Sequence, residues 1–379
     1  MLQSCEIAES EDLKEIRHAL SEKLYVPNTV LKPRIIEELL AFFKRALQSD
    51  QYDMKFHIAY RGNQVSGFVS SMADKNYTSY SRKCGTFGWL TSYEFDTCKA
   101  LIAACESHMR SHKLRKARGA LNYPKILGGL GFQDMGFNKE MMYGVAFDDP
   151  HSKKIEFLEK LGYIKESEYA CMHVTQRLWS KGKELDPSIR VGHIPLEELE
   201  AYEDDLLEMG KNSFYSVLPD AFGEGRLFEL INLYRKVPKS FYAIKEGFDP
   251  HTQTDIPYIQ EAWNSYDLEN MNTWTHLAFD KATDTIVGAI FCLPDLYEHW
   301  LGLPITRSNV DTAIVHKDYA GKGIFSALNN LGRLTLEMNG ITYFEGTTIW
   351  YNNQDAVNSI FPHCVHIRRH NVVQKRIKK

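Results

Sequence analysis

Val310 to Leu334 reads VDTAIVHKDYAGKGIFSALNNLGRL. Its opening residues are apolar and β-branched, the composition of a strand. Ile324, Ala327, Leu328, Leu331, Leu334 and Met338 then recur at helical spacing, and Asn339-Gly340 supplies a natural left-handed end. Between strand and helix stands Ala320-Gly321-Lys322-Gly323. Glycines remove the Cβ atoms that block close approach to the backbone. The free N–H groups and positive dipole end of the following helix favour an anion such as a pyrophosphate. The candidate donors run from Ala320 through Phe325. The loop is neither G-x-x-x-x-G-K-[ST] nor G-x-G-x-x-G, so a triphosphate P-loop and a dinucleotide fingerprint are both excluded.

Working outward, the order of elements repeats. HLAFDKATDTIVGAIFCL reads as strand, polar turn, strand, and FHIAYRG with QVSGFVSS reads the same way in the first half. Ile286-Val287-Gly288-Ala289-Ile290 mirrors Val65-Ser66-Gly67-Phe68-Val69. Ile35, Ile36, Leu39, Leu40, Phe43 and Leu47 mark an amphipathic helix behind Pro33. TFGWLTSYEF reads as a strand, and Cys98, Leu101, Ile102, Cys105 and Met109 as the apolar face of the next helix. Arg118 to Tyr123 reads as a strand and KILGGLGFQDMGF as a loop. A helix follows over Lys153 to Leu161, stopped by Gly162, and YACMHVTQ is a last strand. In the second half, Asn309 to Val315 and Ile341 to Trp350 are strands.

Each half thus predicts an α+β unit with a mixed, mostly antiparallel sheet flanked by helices: residues 1–176 and 177–379. Ser180 to Pro195 has no periodicity and reads as a linker; Gly247 to Asn272 reads as an irregular surface insertion or a lid.

Composition narrows the class. The chain has 379 residues, 45 Lys+Arg against 49 Asp+Glu and 44% hydrophobic residues, which fits two globular domains and excludes a disordered tail protein. No run approaches the ~20 apolar residues of a membrane span, and Glu6, Glu9, Glu11, Asp12 and Glu15 occupy the place of a secretory leader, so a cytoplasmic location is expected. The 7 cysteines form no C-x-x-C pair. His108, His112, His363, His366 and His370 are scattered, and no metal is expected. The balanced charge gives no general reason for nucleic acid. The C-terminal Arg368, Arg369, Lys375, Arg376, Lys378 and Lys379 are a local basic cluster that could hold phosphates or touch RNA.

The segment AIVHKDYAGKGIFSALNNL resembles motif A of the GCN5-related N-acetyltransferase (GNAT) superfamily. Tyr319, Gly321, Lys322, Gly323, Ile324 and Leu328 match its Tyr-Arg-Gly-Lys-Gly-Ile-Gly-x-x-Leu form; Ala320 stands where Arg is common and Phe325 where Gly or Ala is usual. Phe325 is therefore expected to crowd the phosphate. Glu345 to Asn353 followed by Ala356 resembles the family's next strand and Asn-x-x-Ala helix start. Arg118 to Tyr123, Gly131-Phe132 and Phe157 to Tyr163 resemble tandem acetyltransferase-like proteins.

The resemblance implies two tandem GNAT-like domains, the second binding acetyl-CoA through Ala320, Gly321, Lys322, Gly323, Ile324 and Phe325, with Asn353 on the pantetheine arm. Backbone N–H groups of Ala313, Ile314 and Val315 would polarise the thioester carbonyl. Glu345 and His316 are the candidate bases; Tyr351 is the candidate acid, because Ile360-Phe361 occupies the usual tyrosine position. The first half has Asp96 at its helix start in place of glycines, and is expected not to hold CoA. The expected activity is direct acyl transfer from acyl-CoA to a small amine in a ternary complex. The rival readings are an aminoacyl-tRNA-dependent transferase and a noncatalytic binding module of the same fold.

Overall fold

The computed structural model describes residues 5–179, 184–213, 226–360 and 363–378. The chain forms two compact units. The first runs through Ala170 and also takes in Trp350–Gln354 and the chain from Ile367 onward; the second comprises Cys171–Ile349 and Asp355–His366. A single cut after Gln176 does not describe this division, because the end of the chain returns to the first unit.

In the first unit, β1 (Cys5–Ser10) precedes α1 (Leu13–Lys23) and α2 (Lys32–Ala46). The hairpin β2 (Tyr52–Arg61) and β3 (Gln64–Asp74) follows, with a small ribbon of β4 (Thr78–Ser79) and β5 (Arg82–Lys83). Next come β6 (Gly85–Ser92), α3 (Phe95–Ser111), β7 (Lys116–Gly119), α4 (Lys125–Gly128), β8 (Phe132–Met135), α5 (Lys154–Lys160) and β9 (Ile164–Val174). Strands β1, β2, β3 and β6 pair antiparallel, and β6 pairs β7 in parallel. The expected helices and hairpin form as read. Ile35, Ile36, Leu39, Leu40 and Phe43 are the buried face of α2, and Gly62 turns the hairpin at φ +58°.

The second unit contains β10 (Ile189–His193), α6 (Leu196–Ala201), α7 (Glu203–Ser213), α8 (Arg226–Lys236), α9 (Pro257–Asn264), β11 (Thr275–Asp280) and β12 (Ile286–Pro294). It continues through α10 (Leu296–Trp300), β13 (Arg307–Val315), α11 (Ile324–Met338) and β14 (Tyr343–Trp350); α12 (Gln354–Ile360) and β15 (Cys364–Arg376) end the chain. Strands β10 through β13 are antiparallel neighbours in chain order, and β14 joins β13 in parallel.

The glycine repeated in the two hairpins, Gly67 and Gly288, has a packing cause. A Cβ at Gly67 would lie 3.2 Å from both Thr97 Cγ2 and Leu101 Cδ1 of α3; one at Gly288 would lie 2.7 Å from Ile324 Cγ2 and 3.3 Å from Leu328 Cδ1 of α11. In both units a glycine in the hairpin lets the first turns of the crossover helix sit directly on the sheet.

Four expectations are corrected. Ile189–His193, read as linker, is β10, whose apolar alternation is too short to stand out and whose pairing with β11 is distant in sequence. Gly247 to Asn272 contains α9, which buries Ile259, Ala262 and Trp263, so it is a packed segment with no character of a lid. KILGGLGFQDMGF contains α4 and β8, the latter formed by pairing with β15. Finally, the basic C-terminal cluster is largely the strand β15, which pairs with β7 at Val373↔Gly119 through Arg376↔Lys116. Arg368 is 3% exposed, Arg369 is paired with Asp134 at 2.7 Å and Lys375 with Glu106 at 2.8 Å. Arg368, Arg369 and Lys375 are thus engaged inside the first unit, while Arg376 and Lys378 are exposed.

His193 and His276 face each other across the β10/β11 ladder, with ring centroids 4.8 Å apart. Burial pushes His193 down to about 3 and His276 also well below the ordinary histidine value. Below pH ~6.5 the unfolded chain takes up protons that the folded histidines refuse. Their contribution to stability is therefore complete above that pH and is lost with acid by about 1.4 kcal/mol per pH unit for each histidine. In denaturant unfolding between pH 6.5 and 4.5, His193→Phe should reduce the acid slope by about one histidine's share, the rest being carried by His276 and the likewise depressed His57 and His370.

Candidate functional site

The glycine loop lies in the second unit between β13 and α11. Gly321 and Gly323 adopt φ of +78° and +75°, the left-handed region in which a Cβ costs roughly 1–2 kcal/mol. Gly323 is the N-cap of α11 and no side chain caps that end. The Ala327 N–H reaches the Gly323 carbonyl at 3.0 Å, so the N–H groups of Ile324, Phe325 and Ser326 precede the helical ladder, at the positive end of the dipole. Ala320 and Gly321 are exposed, whereas Ile324 and Leu328 are buried and anchor the helix. The turn thus sets the N–H groups of a helix start beside an exposed glycine, Gly321.

The charges around the loop are arranged by its neighbours. The Tyr319 hydroxyl donates to Asp280 Oδ2 at 2.9 Å, which raises the phenol above its usual range. The Ala282 N–H, followed by that hydroxyl, holds the Asp280 carboxyl below its own. Lys322 lies back over the Tyr319 ring, with Nζ 4.9 Å from the centroid, and its ammonium is 3.8 Å from Asp186 Oδ2. The Asp186 N–H donates to the Lys322 carbonyl at 3.0 Å, and hydrogen bonds from Ser188 lower the Asp186 carboxyl. Asp186, in the stretch read as linker, thus holds the loop's one cation. Only the fold brings it there.

Phe325, expected to crowd the phosphate, has an aromatic partner. Its ring packs against Trp179, centroids 5.5 Å apart, and Trp179 stacks on His363 at 4.7 Å. The phenyl group completes an aromatic cluster on the flank of α11. A cleft farther along that helix is lined by Trp179, Cys292, Val310, Asn330, Arg333 and Phe344. There the Arg333 guanidinium lies 3.6 Å from the Phe344 ring centroid and donates to Glu337 at 2.9 Å, and burial lowers its pKa.

The ladder between β13 and β14 covers Arg307–Val310 against Tyr343–Gly346. Asp311 to Val315 continue past it, with Ala313, Ile314 and Val315 held on their other side opposite Ile290, Ala289 and Gly288. His316 ends this strand. Its N–H donates to the Val287 carbonyl at 2.9 Å, and Nδ1 accepts from the Asp318 N–H at 3.3 Å. A neutral imidazole held this way carries its proton on Nε2. Glu345 is fully buried and accepts from the Tyr343 hydroxyl at 3.2 Å. In the register it faces Asn309, seven positions before His316, or roughly 20 Å along an extended strand. The two candidate bases therefore do not meet. Tyr351 and Asn353 belong to the first unit, where the Tyr351 N–H donates to the Glu168 carbonyl at 2.9 Å. Phe361 lies outside the described residues.

The first unit repeats the crossover with different chemistry. Strands β6 and β7 pair in parallel over Gly85–Phe87 and Ala117–Gly119, but the chain then folds back into the space beside β6. The Leu121 N–H donates to the Phe87 carbonyl at 2.9 Å and the Trp89 N–H to Asn122 Oδ1 at 2.7 Å; a Cβ at Gly88 would lie 1.9 Å from the Leu121 oxygen. At the start of α3 stand Glu94, paired with Arg61, and Asp96. This helix start is negative, and the strand edge beside it is filled.

Comparison with solved structures places this doubled crossover. A tandem GNAT protein from the clavulanic acid biosynthesis pathway, solved without AcCoA, superposes over 99% of both chains with a TM-score of 0.54 at 10% identity. The fold is that of a tandem GNAT protein. A GCN5-related N-acetyltransferase from Sphaerobacter thermophilus matches 98% of this chain and 96% of its own with a TM-score of 0.51 at 11% identity. A GCN5-related glucosamine N-acetyltransferase region in a fungal multi-domain GH3 β-N-acetylglucosaminidase matches 98% of this chain with a TM-score of 0.57 at 13% identity; the match spans 38% of that larger protein. No protein-family profile and no curated protein sequence matches the chain. Among the described residues no helix is long and apolar enough to cross a membrane.

Proposed function

We propose that the second unit binds the pyrophosphate of an acyl-CoA, acetyl-CoA being the simplest, at the Ala320–Phe325 turn, and that the protein is an N-acyltransferase acting on a small amine. The observation that carries this reading is the pair of left-handed glycines at the uncapped start of α11, on a crossover between parallel strands. Tandem-GNAT architecture raises the prior for this chemistry, by analogy of fold alone.

The residues fit such a ligand. The N–H groups of Ile324, Phe325 and Ser326 face phosphate oxygens without competition from a capping side chain, and Phe325 is drawn aside by Trp179. Lys322 can swing from Asp186 toward the added negative charge, because both side chains are one-third exposed. The strand end Ala313–Val315, running past the β13/β14 ladder, is where backbone donors would polarise an acyl carbonyl. The thioester supplies an activated acyl group whose thiolate is a tolerable leaving group. The attacking amine must lose a proton during transfer; His316, at the end of β13, is the candidate of the original set nearest in sequence to the turn. The first unit, with its negative helix start and filled strand edge, does not hold CoA in this reading.

Titration calorimetry tests the donor site. Acetyl-CoA should bind the wild type with micromolar affinity, and Gly321→Asp with Gly323→Asp should abolish detectable binding while circular dichroism shows an intact fold. If that double change unfolds the protein, Ser326→Glu places a charge in the first turn of α11 without disturbing the glycines and should weaken binding at least ~10-fold. Absence of binding by the wild type would remove the acyl-CoA reading and favour a noncatalytic module of this fold.

A further inference from the structure

We propose that Asp53, His108 and His112 form a site for one divalent transition-metal cation, with Zn2+ the ion that best fits the donor set. The inference is independent of acyl transfer, since all three residues lie in the first unit. Asp53 and His57 stand two pleats apart on β2, so they share the sheet face with Lys55 between them. Ser71 is the register partner of Lys55 and joins the same face. Helix α3 packs on that face, and His108 and His112, four residues apart, come from successive turns at its C-terminal end.

One nitrogen or oxygen from each of the three residues lies within 4.8 Å of the others. His112 Nε2 is 2.8 Å and His108 Nε2 3.5 Å from the same Asp53 oxygen. Around a tetrahedral zinc with bonds of about 2.0–2.2 Å, ligand atoms sit about 3.3 Å apart, which falls between the two separations Asp53 already holds to the histidines. His108 is the informative member. Its side chain is only 5% exposed, yet its buried Nε2 has no hydrogen-bond partner, an arrangement that costs free energy unless something occupies the position it faces.

The groups behind the histidine are set for metal ligation. His108 Nδ1 is 2.7 Å from Ser71 Oγ, and Ser71 Oγ is 2.9 Å from His57 Nε2. If Nδ1–H of His108 donates to the serine, the serine hydroxyl donates onward to His57, and the lone pair of His108 is left on Nε2, toward Asp53 and His112. This is the outer hydrogen bond that orients a metal-bound imidazole. Lys55 is the nearby cation, but it pairs with Glu11 at 2.7 Å and Glu9 at 3.2 Å, so the surrounding charge, counting Asp53, is net negative. Two imidazoles and a carboxylate suit Zn2+, Co2+ or Ni2+ over Mg2+ or Ca2+, and three protein ligands leave a position for water or an added ligand. On binding, the metal takes the Nε2 lone pair of neutral His112, and the ring keeps its one proton on Nδ1.

The test uses the full-length protein freed of metal with chelator, titrated with Zn2+ against a chromogenic competitor and, separately, with Co2+ under visible spectroscopy. One equivalent should bind with micromolar or tighter affinity, giving Co2+ d–d bands without thiolate charge transfer. His112→Ala, at a partly exposed position that preserves folding, and Asp53→Asn should each weaken binding at least ~10-fold. Ser71→Ala should weaken it while leaving the stoichiometry unchanged. Lack of binding, thiolate charge-transfer bands, or affinity unchanged in both His112→Ala and Asp53→Asn would overturn the proposal.

Discussion

A parallel pair of strands cannot be joined by a tight turn, and the ladder of Arg307–Val310 on Tyr343–Gly346 imposes that constraint on the second unit. The chain must leave β13, cross the sheet face and return, and helix α11 is the crossing. Its first turn therefore stands at the end of β13, held down by Ile324 over the bare Cα of Gly288. Turning from strand into helix so abruptly requires the positive φ of Gly321 and Gly323. The glycine turn and its open helix start are thus by-products of topology, placed by the same residues that close the core.

The first unit shows that topology is not sufficient. It has the same parallel ladder and the same glycine under the crossover helix, at Gly67. Yet Glu94 and Asp96 occupy its helix start, and Leu121 and Asn122 satisfy the backbone beside β6 that an extended ligand arm would need. Of the two crossover helices, α11 starts on glycine with no acidic residue in its first turn, whereas α3 carries Asp96 there. The polar face of β2 and α3 has meanwhile gathered histidines and an aspartate instead of the apolar packing found elsewhere on that helix.

What could be read from the sequence was what is encoded locally. The hairpins, the periodic faces of α2, α3 and α11, and the glycine turn each rest on residues within a few positions of one another. What escaped depends on distant partners. The short strand β10 exists because β11 is beside it, and β8 because β15 returns from the far end of the chain. Arg368 and Arg369 looked like a solvated basic tail because nothing nearby in sequence shows Asp134 or the carbonyl of Glu140 waiting for them. The same reason hid Asp186 beside Lys322, and Asp53 beside His108 and His112. Family resemblance supplied the tandem fold; of the residues it named, the two candidate bases stand apart, Glu345 being a buried carboxylate far along the strand from His316.

The central claim is that one of the two crossover helices, α11, receives the phosphates of an acyl-CoA. Amide hydrogen exchange with and without acetyl-CoA tests it most directly, because the N–H groups of Ile324, Phe325 and Ser326 lie ahead of the helical ladder. The account predicts that ligand slows exchange over Ala320–Ser326 and leaves Phe95–Cys98, at the start of α3, unchanged. Binding accompanied by slowing at α3 alone, or by none at either helix start, would contradict it.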